Sequence, residues 1–280
     1  MDFLDDFIVT SSTLMIIKSE RHILCFVGDI HGDFMSIVCA VKRIKLEGVV
    51  YIVCGDCGFG PNSHEYYRNI LRKINKILQE YKSECYFVRG NHDDKSYFCH
   101  WPFKFSNIKA IPDYTVISTP EHNVLCIGGG ISIDRKERER QYKENIKKYI
   151  KYHKCNETEA SLKVYKTYWT DEIPLYEEEE LENLTEKIDI VATHAAPSFA
   201  SPLTKENIKT WIEQDPELYD DLSYERSVMD KIYDKLSKKG HTINLWAYGH
   251  YHFHKTEFIN NTKFMALDKC HEGNPDIVVI

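Results

Sequence analysis

The sequence predicts an α/β fold with parallel strand pairing, because short apolar runs alternate with amphipathic segments along the first half of the chain. Each run is rich in β-branched and aromatic residues and ends in glycine beside a polar residue, which is typical of a buried strand that opens into a loop. These runs are 22–29, 49–56, 84–91 and 123–130. Between them, the segments 34–46 and 65–82 carry apolar residues at helical spacing.

The second half of the chain repeats the strand pattern. Segments 187–197 and 243–253 are apolar runs that reach a histidine, and the segments 263–269 and 276–280 are further strand candidates. The second half of the fold is therefore expected to be rich in sheet as well.

A single domain over 1–280 is expected, with a charged and partly helical insertion at about 134–187. Residues 135–154 hold nine Lys or Arg and three acids, whereas 171–186 hold eight acids and no base. The first part has a stripe of apolar residues at helical spacing, formed by Tyr142, Ile146, Tyr149 and Ile150. Its basic outer face is either a solvated surface or a rim that attracts a phosphorylated substrate.

The composition excludes several classes of protein. The 280 residues include 36 Lys+Arg and 43 Asp+Glu, and the net charge of −7 is not that of a basic protein that coats nucleic acid. A hydrophobic content of 42% excludes a disordered or fibrous chain. No run of about 18 apolar residues is present to span a bilayer, and the first residues carry acids where a secretion signal carries Lys or Arg. We therefore expect a cytoplasmic protein with reduced cysteines and no membrane partner.

Carboxylate and imidazole side chains concentrate where the predicted strands end. The motifs are G-D-I-H-G at 28–32, G-D at 55–56, G-N-H-D at 90–93, T-H-A at 193–195 and G-H-Y-H at 249–252. Asp29 and His31 are two residues apart, as are His250 and His252, so each pair would leave an extended segment on one side. Carboxylate oxygen combined with neutral imidazole suits Zn, Fe or Mn rather than Ca. The sequence therefore predicts a metal site at the strand ends.

This series of motifs resembles the calcineurin-like metallophosphoesterase superfamily, whose pattern is D-x-H, G-D, G-N-H-[DE], a single H and G-H-x-H. The resemblance extends over residues 22 to 254. It implies a four-layer α/β (α+β) fold in which two packed mixed β-sheets are flanked by helices. It also implies two divalent metal ions as cofactors, Mn in the first place, with Fe, Zn, Ni and Mg as alternatives.

The resemblance also implies a role for each motif residue. One ion would be held by Asp29, His31 and His252, and the other by Asn91, His194 and His250. Asp56 would bridge the two ions, and a hydroxide between them would attack phosphorus in line. His92 would protonate the leaving oxygen as the general acid. Asp56 and His92 are thus the predicted catalytic residues.

The second motif departs from that of the superfamily's protein phosphatases, which read G-D-x-V-D-R-G. In this chain Phe59 replaces the Asp that orients the histidine acid, and Gly60 replaces the Arg that clamps the phosphate. The missing carboxylate would come from Asp93 or Asp94, and the missing guanidinium from Arg89, Arg135 or Arg138. The predicted substrate-binding residues are therefore Arg89, Asp93, Arg135 and Arg138.

The predicted function is hydrolysis of phosphomonoesters. The predicted partner is the phosphorylated substrate, which is either a phosphoprotein or a small molecule. Nucleotide phosphodiesterase, nuclease and dinucleotide-polyphosphate hydrolase activities are alternatives, because the metal ligands do not separate them. A binding module that kept the fold and lost catalysis is a further alternative, although every ligand position is filled. The basic stretch 135–154 leaves nucleic acid or nucleotide open as a partner, whereas the net charge of −7 does not indicate tight polyanion binding.

Overall fold

Two β-sheets form the centre of the computed structural model, which describes residues 14–200 and 208–280. The strands are β1 Ile16–Lys18, β2 Ile23–Val27, β3 Val49–Val53, β4 Glu84–Phe87, β5 Ile108–Ala110, β6 Thr115–Ser118, β7 Asn123–Ile127, β8 Ile190–Thr193, β9 Leu245–Tyr248, β10 Lys255–Ile259, β11 Thr262–Ala266 and β12 Ile277–Val279. One sheet has five strands in the order β12-β2-β3-β4-β5. The other has seven strands in the order β1-β6-β7-β8-β9-β11-β10.

Helices lie on the outer faces of both sheets. The helices of the described residues are α1 Met35–Ile44, α2 His64–Glu80, α3 Ser96–Cys99, α4 Arg135–His153, α5 Glu157–Ser161, α6 Glu178–Glu182, α7 Ile208–Gln214 and α8 Leu218–Lys238, and a 3₁₀ turn covers Ser198–Ala200. The predicted helical segments 34–46 and 65–82 correspond to α1 and α2. Within residues 14–200 and 208–280, none of these helices combines the length and the hydropathy that crossing a membrane requires.

The alternation of side chains along β2 shows how the layers are built. Cys25 and Val27 pack with residues of α1 and α2, whereas Leu24 and Phe26 pack against the seven-stranded sheet. On the far side of that sheet, Trp246 of β9 is buried among apolar residues of α6 and α8. The order helix, sheet, sheet, helix confirms the predicted four-layer fold with two packed mixed sheets.

The two sheets divide the predicted strands in a way that the sequence does not reveal. β2, β3, β4 and β5 pair in parallel, and β12 joins their edge in the antiparallel sense. The fourth predicted strand, β7, lies in the other sheet, parallel to β8 and antiparallel to β6. A strand that is buried on both faces gives the same apolar run in either sheet, so the strand–helix alternation alone did not show this change of sheet.

The insertion at 134–187 contains three helices, α4, α5 and α6. Of the predicted stripe on α4, Ile146 is buried, while Tyr142, Tyr149 and Ile150 are half-buried. Four of the strands were not predicted from the sequence. β1, β5 and β6 have only three or four residues each, and β10 is an edge strand that alternates between half-buried and exposed side chains. The single domain over 1–280 stays a prediction.

Candidate metal centre

The seven predicted metal ligands lie at the C-terminal ends of parallel strands, where sites in sheets of this kind are usually built. Asp29 and His31 follow β2, Asp56 follows β3, Asn91 follows β4, His194 follows β8, and His250 and His252 follow β9. The strands belong to both sheets, and their ends meet at one edge of the packed pair. The fold therefore brings together residues from five separate parts of the chain.

The segments that carry the ligands are tight turns rather than extended strand ends. His31, Asp56, His250 and His252 have φ angles of 44°, 45°, 69° and 54°, in the left-handed region that residues other than glycine rarely adopt. The expectation of extended segments at 29–31 and 250–252 is therefore wrong, although each pair reaches the same cluster. Such backbone conformations cost about 1–3 kcal/mol each and concentrate at functional sites.

Asp29, His31, Asp56 and His252 form one half of the cluster, with donor atoms that all lie within 4.8 Å of one another. His31 Nε2 lies 3.0 Å from His252 Nε2, and His252 Nε2 lies 3.2 Å from Asp29 Oδ2. Two imidazole nitrogens at this distance cannot both carry a proton between them, so at least one of them presents a lone pair, which a cation could take in place of that proton. The two carboxylates are buried, which is costly unless they are paired or coordinate a metal.

Asp56, Asn91, His194 and His250 form the other half. His194 Nε2 lies 2.8 Å from Asn91 Oδ1 and 3.3 Å from Asp56 Oδ1, and the rings of His194 and His250 are 4.8 Å apart. Asp56 joins the two halves, because its second oxygen Oδ2 lies 3.8 Å from His31 Nδ1. Each half offers imidazole nitrogen together with carboxylate or amide oxygen. This donor chemistry fits a pair of divalent transition-metal ions.

Two glycines let the backbone approach the buried carboxylates closely. A Cβ atom at Gly249 would lie 2.0 Å from Asp29 Oδ1, and one at Gly90 would lie 2.0 Å from Asp56 N. Because no side chain fits at either position, the close approach depends on glycine. The backbone also holds the first carboxylate in place, since the N–H of His250 donates to both oxygens of Asp29 at 3.1 Å.

The charges in the cluster favour an ionised Asp56 and a neutral His92. Burial raises the pKa of Asp56, but the positive charges that His92 and His194 carry at the low pH where this carboxyl titrates outweigh it and hold that pKa well below its usual range. Burial lowers the pKa of His194, but Asp56 and Asp29 outweigh it and raise the pKa to about 10. Burial lowers the pKa of His92 to about 4, and the charge of Asp56 offsets this only in part. The cluster thus attracts positive charge, and metal binding would release the proton from His194.

Three buried side chains that the sequence analysis missed support the ligands. Asn91 Nδ2 donates to Ser132 Oγ at 2.8 Å, and Ser132 Oγ donates to Glu172 Oε2 at 2.6 Å, which turns Oδ1 of the amide toward the cluster. Glu225 of α8 is fully buried, and its Oε2 lies 3.5 Å from His250 Nε2. Partners of this kind fix the orientation of metal ligands. They come from the loop after β7, the insertion and α8, where no motif marks them.

Replacing Ser132 by alanine is expected to weaken metal binding at the Asn91 half of the cluster by about 10-fold to 100-fold. The change removes the acceptor of the Asn91 amide and the donor to Glu172, so the amide is free to rotate its oxygen away. Isothermal titration of the metal-free protein with Mn measures the effect directly. Ser223→Ala, at an exposed serine of α8, is the matched control. Equal Mn affinity in Ser132→Ala and the control would show that this hydrogen bond does not position the amide.

Arg89 and Arg135 do not face the cluster. Arg89 is 1% exposed, and its guanidinium donates to Asp113 Oδ2 at 2.8 Å and to the carbonyl oxygen of Glu172 at 2.8 Å. Arg135 is also buried, and its Nε donates to Asp215 Oδ2 at 2.5 Å. Both guanidiniums are bound by internal acceptors. The structure therefore does not bring these two predicted substrate-binding residues to the cluster.

Asp93 is also held by internal partners. Its carboxylate accepts four backbone N–H groups at 2.7 to 3.0 Å, from Cys57, Gly58, Phe59 and Gly90. It therefore anchors the loop that follows β3 instead of orienting His92. Asp94 accepts the N–H of Ser96 at the start of α3 and is not bonded to His92 either. Phe59, which stands where protein phosphatases have an orienting Asp, is buried in an aromatic cluster with Phe34, Tyr67, Phe87 and Tyr97.

Arg138 of α4, by contrast, lies beside the cluster. Its Nη2 donates to His92 Nε2 at 3.4 Å, and its Nε donates to Asp134 Oδ1 at 2.8 Å. His92 Nε2 in turn lies 3.7 Å from Asp56 Oδ2. Of the four predicted substrate-binding residues, Arg138 thus has the position that an anionic substrate would require.

A cavity of about 660 Å³ opens over the cluster, a volume within the range of small-molecule sites. Its floor is formed by His31, Asp56, Asn91, His92, His250 and His252. Three cationic side chains, Arg138, Arg226 and Lys269, line its walls. Apolar side chains line it as well, among them Ile131, Ile133, Ile208, Trp211 and Leu222. The sequence analysis missed the wall residues of α7 and α8, because those helices carry no motif.

A match to a known protein family agrees with this geometry. The sequence model of the calcineurin-like phosphoesterase family matches residues 24–254. Among solved structures, the chain is similar to phosphopantetheinyl hydrolase from Mycobacterium tuberculosis, with 14% identity, a TM-score of 0.41 and coverage of 93% of this chain and 96% of that one. It is also similar to the cold-active protein-tyrosine phosphatase of a Shewanella species, with 12% identity, a TM-score of 0.37 and coverage of 94% and 76%. Among curated proteins, no match was found. Because the family match spans most of the sequence, the chain belongs to the calcineurin-like phosphoesterase family and is a hydrolase of phosphate esters.

Proposed function

We propose that the protein is a phosphatase that hydrolyses phosphomonoesters with two divalent ions, Mn in the first place. One ion would be held by Asp29, His31 and His252, the other by Asn91, His194 and His250, with Asp56 shared between them. When bound, the ions lower the pKa of water and offset the charge on the phosphoryl oxygens. The observation that carries the proposal is the convergence of these side chains. Five of them lie on the floor of one cavity beside His92 and Arg138, and the buried Asp29 and His194 contact that floor through His252 and Asn91.

His92 is placed to handle the proton of the leaving group. Its Nε2 accepts from Arg138, and because a guanidinium only donates, this nitrogen carries no proton in the present arrangement. A phosphate dianion in the cavity would raise the pKa of His92 through its negative charge. It would also draw the Arg138 guanidinium onto its own oxygens. His92 Nε2 would then be free to hold the proton that the leaving oxygen needs.

Removal of metal is expected to abolish the hydrolysis of p-nitrophenyl phosphate. Treatment with EDTA followed by gel filtration should reduce the rate to background, and added Mn should restore it. Parallel additions of Mg, Zn, Ni and Fe measure the preference among ions. Metal analysis of the active sample should give about two ions per chain. Less than about one ion per chain after incubation with Mn would favour a binding module without catalysis.

The same assay separates the substrate classes when it is run on a panel. The panel contains an aryl monoester, an aryl diester, a nucleotide, a dinucleotide polyphosphate, a phosphopeptide and single-stranded DNA. We expect the highest kcat/KM on a monoester. A preference of about tenfold or more for the diester or for DNA would replace this proposal with a phosphodiesterase or nuclease activity.

A further inference from the structure

Helix α8 packs directly on the candidate metal centre. Glu225 on one face contacts the ring of His250 and accepts the N–H of Ile131 at 2.5 Å. Leu222 and Arg226 flank it and line the cavity. Leu222 lies three residues before Glu225 and four residues before Arg226, so it shares a face of α8 with both. The face that supports the ligand His250 therefore also presents the Arg226 guanidinium to the space above the centre.

Arg226 has no internal counter-charge in the part of the chain that the structure describes. Its Nε is buried without a hydrogen-bond partner. The acids near it along α8 are engaged elsewhere: Glu225 accepts the N–H of Ile131 at 2.5 Å, Asp221 pairs with Arg135 at 2.6 Å, and Asp230 accepts the N–H of Ser198 at 2.7 Å. A partly buried guanidinium without a partner is costly, and its planar fork matches the oxygens of a phosphate. Arg226 is therefore suited to an anion that enters the cavity.

The two guanidiniums of the cavity stand on different sides of the centre. Arg138 is next to His92, whereas Arg226 follows Glu225, the residue that contacts His250. Arg138 is already bonded to Asp134 and to the carbonyl oxygen of Thr167. Arg226 lines the cavity, forms no ion pair with a carboxylate of the described residues and has no acceptor at its Nε, so of the two guanidiniums it is the one left free to turn to a phosphate oxygen.

Part of the remaining wall of the cavity is apolar. It is formed by Trp211 and Ile208 of α7, Leu222 of α8, and Ile131 and Ile133, whereas Asp134 and Lys269 are polar parts of the lining. Indole and branched aliphatic side chains beside a polar floor provide a surface for a ring or a hydrocarbon group rather than for a charged or hydrated one.

We propose that α7 and α8 select the substrate, with Arg226 binding the phosphoryl oxygens and the wall around Trp211 binding the leaving group. The substrate class is then a small phosphomonoester whose leaving group is a ring or another apolar group, and not a phosphorylated protein chain. This inference rests on the proposed phosphatase function and narrows its substrate. It also supplies, from a helix that carries no motif, the guanidinium that Gly60 does not provide.

Binding of inorganic phosphate to the Mn-loaded protein tests Arg226 without turnover. Arg226→Met is expected to raise the Kd for phosphate, measured by titration calorimetry, by about 10-fold to 100-fold, and Arg226→Lys should restore part of the affinity. Arg68→Met, at an exposed arginine of α2, is the matched control and should bind phosphate like the wild type. Unchanged phosphate affinity in Arg226→Met, or no phosphate binding by the wild-type protein, would overturn the role of Arg226.

Trp211→Ala tests the leaving-group wall in a different way. It should raise KM for p-nitrophenyl phosphate by about tenfold while leaving the Kd for inorganic phosphate unchanged, because phosphate has no leaving group. Tyr219→Ala, at an exposed aromatic residue of α8, is the control. An equal effect of Trp211→Ala on both ligands, or a phosphopeptide kcat/KM equal to that of the aryl ester, would overturn the substrate class.

The two proposals fail in distinguishable ways. Phosphate binding that depends on Arg226 in a protein that hydrolyses none of the esters would contradict the proposed function and leave the anion site standing. If the wild type hydrolyses the esters and neither Arg226→Met nor Trp211→Ala changes that hydrolysis, the proposed function stands and the proposed role of α7 and α8 in substrate selection is wrong. Circular dichroism of each variant, together with the partial rescue by Arg226→Lys, separates a binding defect from a folding defect.

Discussion

Asp56→Asn is expected to lower kcat for an aryl phosphate by about a thousandfold or more, a loss as large as that from removing one strong electrostatic contact in an active site. Asp56 is 1% exposed and is the group common to both halves of the centre, with one oxygen toward His194 and the other toward His31 and His92. Asparagine keeps the shape but loses the charge, and one of the two acceptors becomes an NH₂ donor.

Two measurements distinguish this effect from a loss of fold. Metal analysis should show fewer bound ions in Asp56→Asn, while its far-UV circular dichroism should match the wild type. Asp94→Asn is the matched control, because the Asp94 side chain accepts the N–H of Ser96 and the oxygen of an asparagine amide can accept the same bond. Activity of Asp56→Asn within about tenfold of the control would remove Asp56 from the reacting centre.

The sequence located the centre because topology, rather than fine geometry, brings its residues together. Asp29, Asp56 and Asn91 each follow a strand of one parallel set, and the C-terminal ends of such strands must meet at one edge. His194 and His250 follow strands of the second sheet, which packs on the first through residues such as Phe26 and Ala192. Strand-end motifs are therefore enough to predict which residues converge.

The local backbone was not predictable in the same way. The pairs at 29–31 and 250–252 were expected to be extended, yet His31, His250 and His252 lie in left-handed turns. Period-two reasoning holds only inside a strand, and these pairs begin one or two residues after the last strand hydrogen bonds. What fixes the turns is the contact of the backbone with the buried carboxylates, for example at Gly249 beside Asp29, which no local pattern encodes.

The residues that line the cavity were the least predictable part, because nearness in sequence is a poor guide to nearness in space. Arg89 lies two residues before Asn91, yet its side chain turns away to Asp113 and to carbonyl oxygens of the insertion. Arg226 lies far along the chain and has no motif around it, yet it lines the cavity above the centre. Helix α8 reaches this position only through tertiary packing, so the residue could not be found before the fold was known.

Asp93→Ala is expected to cause the largest loss of stability, about 4 kcal/mol or more, because removing the partner of a buried donor costs about 1–3 kcal/mol and this carboxylate has four such donors. Three of them are consecutive backbone N–H groups at 57–59, and the fourth belongs to Gly90. The loop after β3 and the turn after β4 are thus tied together at one side chain. Alanine leaves all four donors buried without an acceptor.

Asp93→Asn separates the number of hydrogen bonds from the volume of the side chain. Oδ1 accepts from Gly58 and Phe59, and Oδ2 accepts from Cys57 and Gly90. The oxygen of an asparagine side chain can accept from one of these two pairs of backbone N–H groups. Its NH₂ group would then face the other pair, where donor meets donor and no hydrogen bond forms. The free energy of unfolding, measured by urea denaturation, should therefore fall less in Asp93→Asn than in Asp93→Ala. Asp94→Ala loses only the bond from Ser96 and is expected to cost about 1 kcal/mol.

The same substitution decides between the two roles considered for Asp93. If it oriented His92, its removal would lower kcat and leave the free energy of unfolding nearly unchanged. If Asp93 anchors the loop that holds Phe59 in the aromatic cluster beside Tyr67 and Phe87, its removal should instead lower the denaturation midpoint. Asp56 begins that loop and should then lose its geometry as well. A loss of stability below about 1 kcal/mol in Asp93→Ala, together with a large fall in kcat, would restore the catalytic role. The anchoring role requires the opposite result: the free energy of unfolding falls strongly in Asp93→Ala, and kcat falls only because the loop beside Asp56 is no longer held.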